Sequence, residues 1–182
     1  MSIFKGDHYR IGMRKVKSIL AICIGFVIWQ LIRIPFPDLE VHPIFVYLYG
    51  MLEIRETSEK TKMMGVRRIK ATAVGLLVGL PMLALLILLQ PFIETGWLLT
   101  GFQLLLILVG VLLSLTIGKL VGCDTLTGIA AMVFIIMMVS HGDNEWYLYA
   151  VLRALQTVIG VFVAWLLNVK LFPYSGDQQE KE

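Results

Sequence analysis

The sequence predicts an all-α integral membrane protein of six transmembrane helices, arranged as two three-helix halves in a 3+3 inverted repeat. Three observations carry this. Hydrophobic residues make up 58% of the chain and charged residues only 16%, against roughly 25% charged in an average soluble domain. That is more apolar surface than one soluble core of this length can hide. The apolar residues fall in long runs separated by short polar connections, with room for about six spans of roughly 20 residues. Lys and Arg gather in alternate connections.

The first span is expected over 16–32. Basic residues before it imitate a secretory leader, but Arg33-Ile34-Pro35-Phe36-Pro37 follows instead of a small-residue cleavage site, so the span reads as retained. The second is short, 41–54, and a charged stretch from Glu53 to Lys70 follows it. The third covers 69–89 with Pro81 inside, which a membrane helix tolerates when neighbours satisfy the freed carbonyl. The remaining spans are 97–120, 125–139 and 146–171. Spans two and five fall short of a full bilayer crossing. Residues 1–173 thus form one six-helix domain, and 174–182 a polar cytoplasmic tail.

Orientation follows from the basic residues. Lys5, Arg10, Arg14 and Lys15 precede span one; Arg55, Lys60, Lys62, Arg67, Arg68 and Lys70 lie between spans two and three; Lys119 follows span four and Lys181 span six. The opposite connections carry Asp38, Glu40, Glu94, Asp143 and Glu145 and no Lys or Arg. Both termini are therefore expected in the cytoplasm of a multi-pass protein of a bacterial plasma membrane. Trp29, Trp97 and Trp146 then fall near the outer interface, where an indole is comfortable.

A shift of 85 positions, from Arg68 to Arg153, lays the second half on the first. Thr72, Gly75 and Val78 fall on Thr157, Gly160 and Val163, and Leu20, Ile22, Gly25 and Ile32 on Leu105, Ile107, Gly110 and Ile117. The aliphatic matches are cheap in an apolar chain. The Arg-x3-Thr-x2-Gly pattern is more telling, because Arg is rare inside spans. Spans three and six run in opposite directions, so the halves would be inverted copies, an arrangement that recurs in transporters with the substrate path between the repeats.

Arg153 is the most pointed residue, about eight positions into span six, roughly 10–12 Å from its outer end. A guanidinium there must snorkel, pair or face water. It either attracts an anion on a permeation path or ties span six to an acidic group. Arg68, at the cytoplasmic end of span three, reads as an interfacial anchor, or with Arg67 and Lys70 as a cationic inner vestibule. Thr72, Gly75 and Gly79, with Thr157, Gly160 and Ala164, form small-residue faces that let helices approach closely. Thr72 and Thr157 stand beside the arginines as candidate substrate contacts. Gln156 and Asn168 suit interhelical hydrogen bonding.

Catalysis has no visible apparatus. His8, His42 and His141 sit in loops or at interfaces, and no His/Cys/Glu set has metal-ligand spacing. Ser18, Ser114 and Ser140 lack a His partner at matching depth. No Gly-rich phosphate loop opens a helix. The reading is no enzyme, no cofactor and no metal. Asp124, at the start of span five, is the carboxylate nearest to a mid-span position and suits a helix cap. Cys23 and Cys123 are expected as free thiols. The net charge of +3 is too mild to point to nucleic acid.

Three motifs in order carry a family resemblance: Ile11-Gly12-Met13-Arg14-x2-Lys17-Ser18; Gly65-x2-Arg68-x3-Thr72-x2-Gly75-x3-Gly79; and Ala150-x2-Arg153-x3-Thr157-x2-Gly160 leading to Asn168 and Pro173. Over about Ile11 to Pro173 the chain resembles the aromatic acid exporter family, also called the fusaric acid resistance (FUSC-like) group. The resemblance implies six membrane helices and efflux of small organic, often aromatic, carboxylate anions. Plant relatives in the wider group are dimeric anion channels, which implies a homodimer here. Many members carry a large cytoplasmic domain after the spans, whereas this sequence runs to Glu182. Two functional readings stand: a transporter or channel for organic anions, and a membrane scaffold or partner subunit without transport of its own. Membrane lipid is the expected surrounding in both.

Overall fold

A computed structural model describes residues 13–35, 42–93, 96–139 and 146–172. Six α-helices run through them: α1 (Met13–Arg33), α2 (Ile44–Leu52), α3 (Ser58–Leu89), α4 (Gly96–Leu120), α5 (Thr127–Val139) and α6 (Trp146–Trp165). A π-helical turn, Leu166–Leu171, extends α6. Four of these, α1, α3, α4 and α6 with its extension, are long and apolar enough to cross a membrane. α2 has 9 residues and α5 has 13, about 14 Å and 20 Å of helix at 1.5 Å per residue, against a hydrocarbon core of roughly 30 Å. The tail 174–182, and Asp38, Glu40, Glu94, Asp143 and Glu145 of the acidic connections, lie outside the described residues.

Local chemistry sets the helix ends. α1 stops two residues before Pro35, because the residue preceding a proline is disfavoured in the α region. Pro43 precedes α2 and accepts the first amides, Val46 N–H at 3.0 Å. α3 begins at Ser58, eleven positions before the apolar run that the sequence marks as a span. Thr57 caps it, its hydroxyl accepting from Lys60 N–H at 3.2 Å, and Glu59 sits in the first turn. At 32 residues α3 is about 48 Å long, so its charged first turns extend past any single bilayer core. It continues through Pro81 to Leu89. α4 ends where Gly122 takes φ +78, and Cys123 N–H and Gly122 N–H return to the carbonyls of Gly118 and Lys119 at 2.9 and 3.0 Å. That reversal needs a left-handed residue, which glycine adopts without a Cβ penalty. It places Asp124 in the short 3₁₀ turn before α5, not at the cap of α5.

α3, α6, α2 and α5 form the centre of the bundle, with α3 packed on α5, α2 on α6, and α3 on α6. α1 lies against α2 and α6, and α4 against α5 and α3. These neighbour relations are unchanged when α1, α2 and α3 are exchanged for α4, α5 and α6. One apolar core gathers Val78, Leu83, Leu106, Phe134 and Met137; another gathers Ala21, Val163, Ala164 and Leu167. The outer faces of α1 and α4 stay apolar and exposed, with Ile19, Phe26 and Leu31 on one and Leu104, Leu108 and Leu112 on the other. Such faces suit lipid tails. Trp29, expected near the outer interface, is fully buried with Val46 and Leu152, because α2 and α6 both pack over that end of α1. Trp97 is exposed. Cys23 and Cys123 are free.

Candidate functional site

The buried charges of the central helices converge on α2. Arg68, from α3, forms an ion pair with Glu53 at the C-terminal end of α2. Both side chains are almost fully buried. The Arg68 guanidinium also lies over the Tyr49 ring, 4.6 Å from its centroid. One turn earlier on α2, Phe45 stacks at 5.8 Å from Tyr49. The Arg153 guanidinium, from α6, lies over Phe45 and 5.9 Å from the Tyr49 centroid. Two arginines from two helices therefore flank one aromatic pair. The ring faces carry negative quadrupole, which stabilises a nearby cation most where water is excluded.

Neighbouring polar groups are also buried. Thr157 donates to the Arg153 carbonyl at 3.0 Å. Gln156 donates to the His42 carbonyl at 3.0 Å, tying α6 to the start of α2. Tyr49 OH and Thr72 Oγ1 are buried with no hydrogen-bond partner among the described residues. A buried hydroxyl left so costs roughly 1–3 kcal/mol, which is why such groups mark places where a ligand or water can bind.

Small residues make this convergence geometrically possible. A Cβ on Gly160 would stand 2.8 Å from the Tyr49 Cβ and 3.0 Å from the Val46 carbonyl oxygen. α6 therefore touches the α2 backbone directly, and that contact holds Arg153 beside Phe45. In the other half, a Cβ on Gly75 would meet the Ala130 carbonyl oxygen at 2.5 Å and the Val133 Cβ at 2.9 Å. A Cβ on Gly79 would meet Met137. Ala164 is fully buried on the same helix as Gly160.

The structure thus brings together Arg68, Arg153 and Thr157 around α2, with Thr72 one turn from Arg68 on α3. It does not bring Lys70 to them: Lys70 is exposed on another face of α3, beside an open groove with Lys62 and Arg67. Nor is Arg68 an interfacial anchor. Glu53, read from sequence as the start of a charged connection, is instead a buried carboxylate, and it draws Arg68 inward. Phe45 and Tyr49 also escaped the sequence reading, since aromatic residues in an apolar run look like ordinary core. A signal was present in Tyr49 and Glu53, four apart and so on one helix face. Among the described residues no three His, Cys, Asp or Glu side chains gather as a metal would require.

A family model described as aromatic acid exporter family member 1 matches residues 9–171. The chain belongs to the aromatic acid exporter family. The match spans all six helices, so the arginine–aromatic cluster is part of the exporter-family domain and not an appendage to it. Membership places this exporter-family chain among multi-pass membrane proteins that transport small substrates. No curated protein and no solved structure matches it.

Proposed function

We propose that this protein exports small organic carboxylate anions, aromatic acids foremost, along a route that passes α2 between Arg68 and Arg153. The observation that carries the reading is the pair of buried guanidiniums flanking Phe45 and Tyr49. A planar guanidinium can grip a carboxylate through two parallel hydrogen bonds, and an aromatic side chain can stack on the substrate ring. A cluster offering both fits a ligand that has both.

The architecture favours the same reading. Gly75 and Gly160, 85 positions apart, each lie against a carbonyl and, three residues on, a side chain of a short helix: Ala130 and Val133 on α5, Val46 and Tyr49 on α2. Gly25 and Gly110 are related by the same shift, the first against Val46 and the second against Phe134. These paired contacts support a 3+3 inverted repeat. Short helices at matching places in two inverted halves are a recurrent mark of a transport site. On this reading all six helices belong to the membrane domain, both termini are cytoplasmic in a bacterial plasma membrane, and two copies assemble as a homodimer.

The alternative, a scaffold or partner subunit without transport, is favoured by one observation. Glu53 already neutralises Arg68, as a purely structural pair would. Flux decides between them. Purified protein in liposomes should release trapped benzoate faster than empty liposomes, and Arg153→Gln should slow that release at least about tenfold if a charge-assisted contact is lost. Release no faster than from empty liposomes would leave the scaffold reading standing.

A further inference from the structure

A second basic site lies away from α2's aromatic face, where the start of α1, the α2–α3 connection and the π-helical turn meet. Met13, Arg14 and Lys17 of α1, Ile54, Arg55 and Glu56 of the connection, and Asn168 of the turn line a cavity of about 220 Å³. At about 30 Å³ per water, that is room for roughly seven waters, the scale of a single-ring acid.

Its walls are built, not incidental. Lys17 is only 5% exposed, and its Nζ donates to Asn168 Oδ1 at 2.8 Å. The same amide donates through Nδ2 to the Arg55 carbonyl at 2.9 Å and to Thr61 Oγ1 at 2.7 Å. Thr61 Oγ1 in turn accepts from Arg55 N–H at 3.3 Å. Asn168 therefore fixes both the lysine and the backbone of Arg55. It sits in a π-helical turn, a feature that often marks functional positions. The Arg55 Nε is buried with no hydrogen-bond partner among the described residues. A buried guanidinium N–H in that state is stabilised by an acceptor.

Charge points to the sign of that acceptor. Three cations, Arg14, Lys17 and Arg55, face the cavity against one carboxylate, Glu56. Glu56 is exposed and already paired, 3.5 Å from Lys60, which is not among the lining residues. The remaining wall is apolar: Ile54, which is fully buried, and Met13. Cations on one side and hydrocarbon on the other suit an anion with an apolar body.

We infer that the cavity bounded by Arg14, Lys17, Arg55 and Asn168 is a loading site for a small aromatic carboxylate, separate from the α2 cluster. It rests on the export reading above and names where the substrate is first held. In it Arg14 and Arg55 take the carboxylate, and Ile54 and Met13 take the ring.

The test uses the full chain in phosphatidylcholine nanodiscs, titrated with benzoate by calorimetry, with benzoate flux measured in parallel in liposomes. Arg14→Gln with Arg55→Gln should weaken benzoate binding roughly a hundredfold, about tenfold for each charge-assisted contact. Among the described residues neither side chain has a partner that the fold depends on, so the variant should elute as the wild type does on size exclusion. Lys119→Gln, which removes an exposed cation at the end of α4, should keep wild-type benzoate affinity. Unchanged binding in the double variant overturns the site, as does an equal loss of binding in Lys119→Gln, or a wild type that binds no benzoate. Doping the discs with phosphatidylglycerol gives one further outcome: if the lipid abolishes benzoate binding, the cavity holds a phosphate headgroup and the substrate assignment falls. Benzoate binding without flux would sink the export reading and leave the site intact.

Discussion

Arg68 and Arg153 occupy equivalent places in the two halves of the sequence, each followed by Thr and Gly at the same spacing, yet their surroundings differ. Arg68 has a carboxylate, Glu53, and one aromatic face, Tyr49. Arg153 lies over Phe45. Both turn toward α2, although α3 packs chiefly on α5 and the pattern of helix neighbours would send Arg68 there. The reason is composition. α5 offers Ala130, Val133, Phe134 and Met137 toward the bundle, whereas α2 offers Phe45, Tyr49 and Glu53. A repeated motif therefore fixes where a helix packs without fixing what its charge meets, and the two arginines are free to take different tasks: Arg68 pairs with Glu53, and Arg153 is the one proposed to meet the substrate.

The largest expected effect breaks the Arg68 side of this contrast. Glu53→Gln leaves a buried guanidinium without its counter-charge, which costs about 3–5 kcal/mol. Thermal unfolding in detergent should show a large loss, and a much smaller one for Arg153→Gln. Equal losses would erase the distinction between the two arginines. Glu53→Leu combined with Arg68→Met should recover most of that stability, since a well-packed apolar pair of similar volume is often neutral or better. If the double variant is as unstable as Glu53→Gln, the pair is not the structural unit described.

A smaller effect tests the contact that places Arg153. Gly160→Val would force a side chain into the Tyr49 Cβ and the Val46 carbonyl, at a cost of about 1–3 kcal/mol for overpacking. It should also lower flux, because α6 and α2 must separate. Flux unaffected by a destabilising Gly160→Val would place the route elsewhere. Smallest of all, Thr57→Ala removes the cap of α3. It should cost about 1 kcal/mol, with no change in substrate selectivity, because the charged first turns it anchors stand apart from the cluster.

Much of the fold was legible because membrane helices announce themselves as long apolar runs. α1, α4 and α6 with its π-helical extension begin and end within a few residues of the apolar runs, and α2 and α5 are short helices within the two shorter ones. The small-residue positions Gly75, Gly79 and Gly160 could be named because close helix approach needs the absence of a side chain. What stayed hidden depends on tertiary contact. Glu53 looks like part of a polar connection until Arg68 is brought beside it. The first eleven positions of α3 carry five charged residues, Glu59, Lys60, Lys62, Arg67 and Arg68, which hide them from a search for apolar runs, although Thr57 followed by Glu59 is a helix-start signal. Lys17 seems out of place inside an apolar span until Asn168, 151 positions away, supplies its acceptor. A π-helical turn has no sequence pattern by which to find it.

The central claim is that Arg153 attracts a carboxylate as it passes α2. The most direct measurement is benzoate flux from liposomes for the wild type, Arg153→Lys and Arg153→Gln, at matched protein incorporation. Lysine keeps the charge and loses the two-pronged grip, and glutamine loses both. The account predicts flux falling from wild type to lysine to glutamine, with thermal stability nearly constant across the three. Wild-type flux in Arg153→Gln would contradict it.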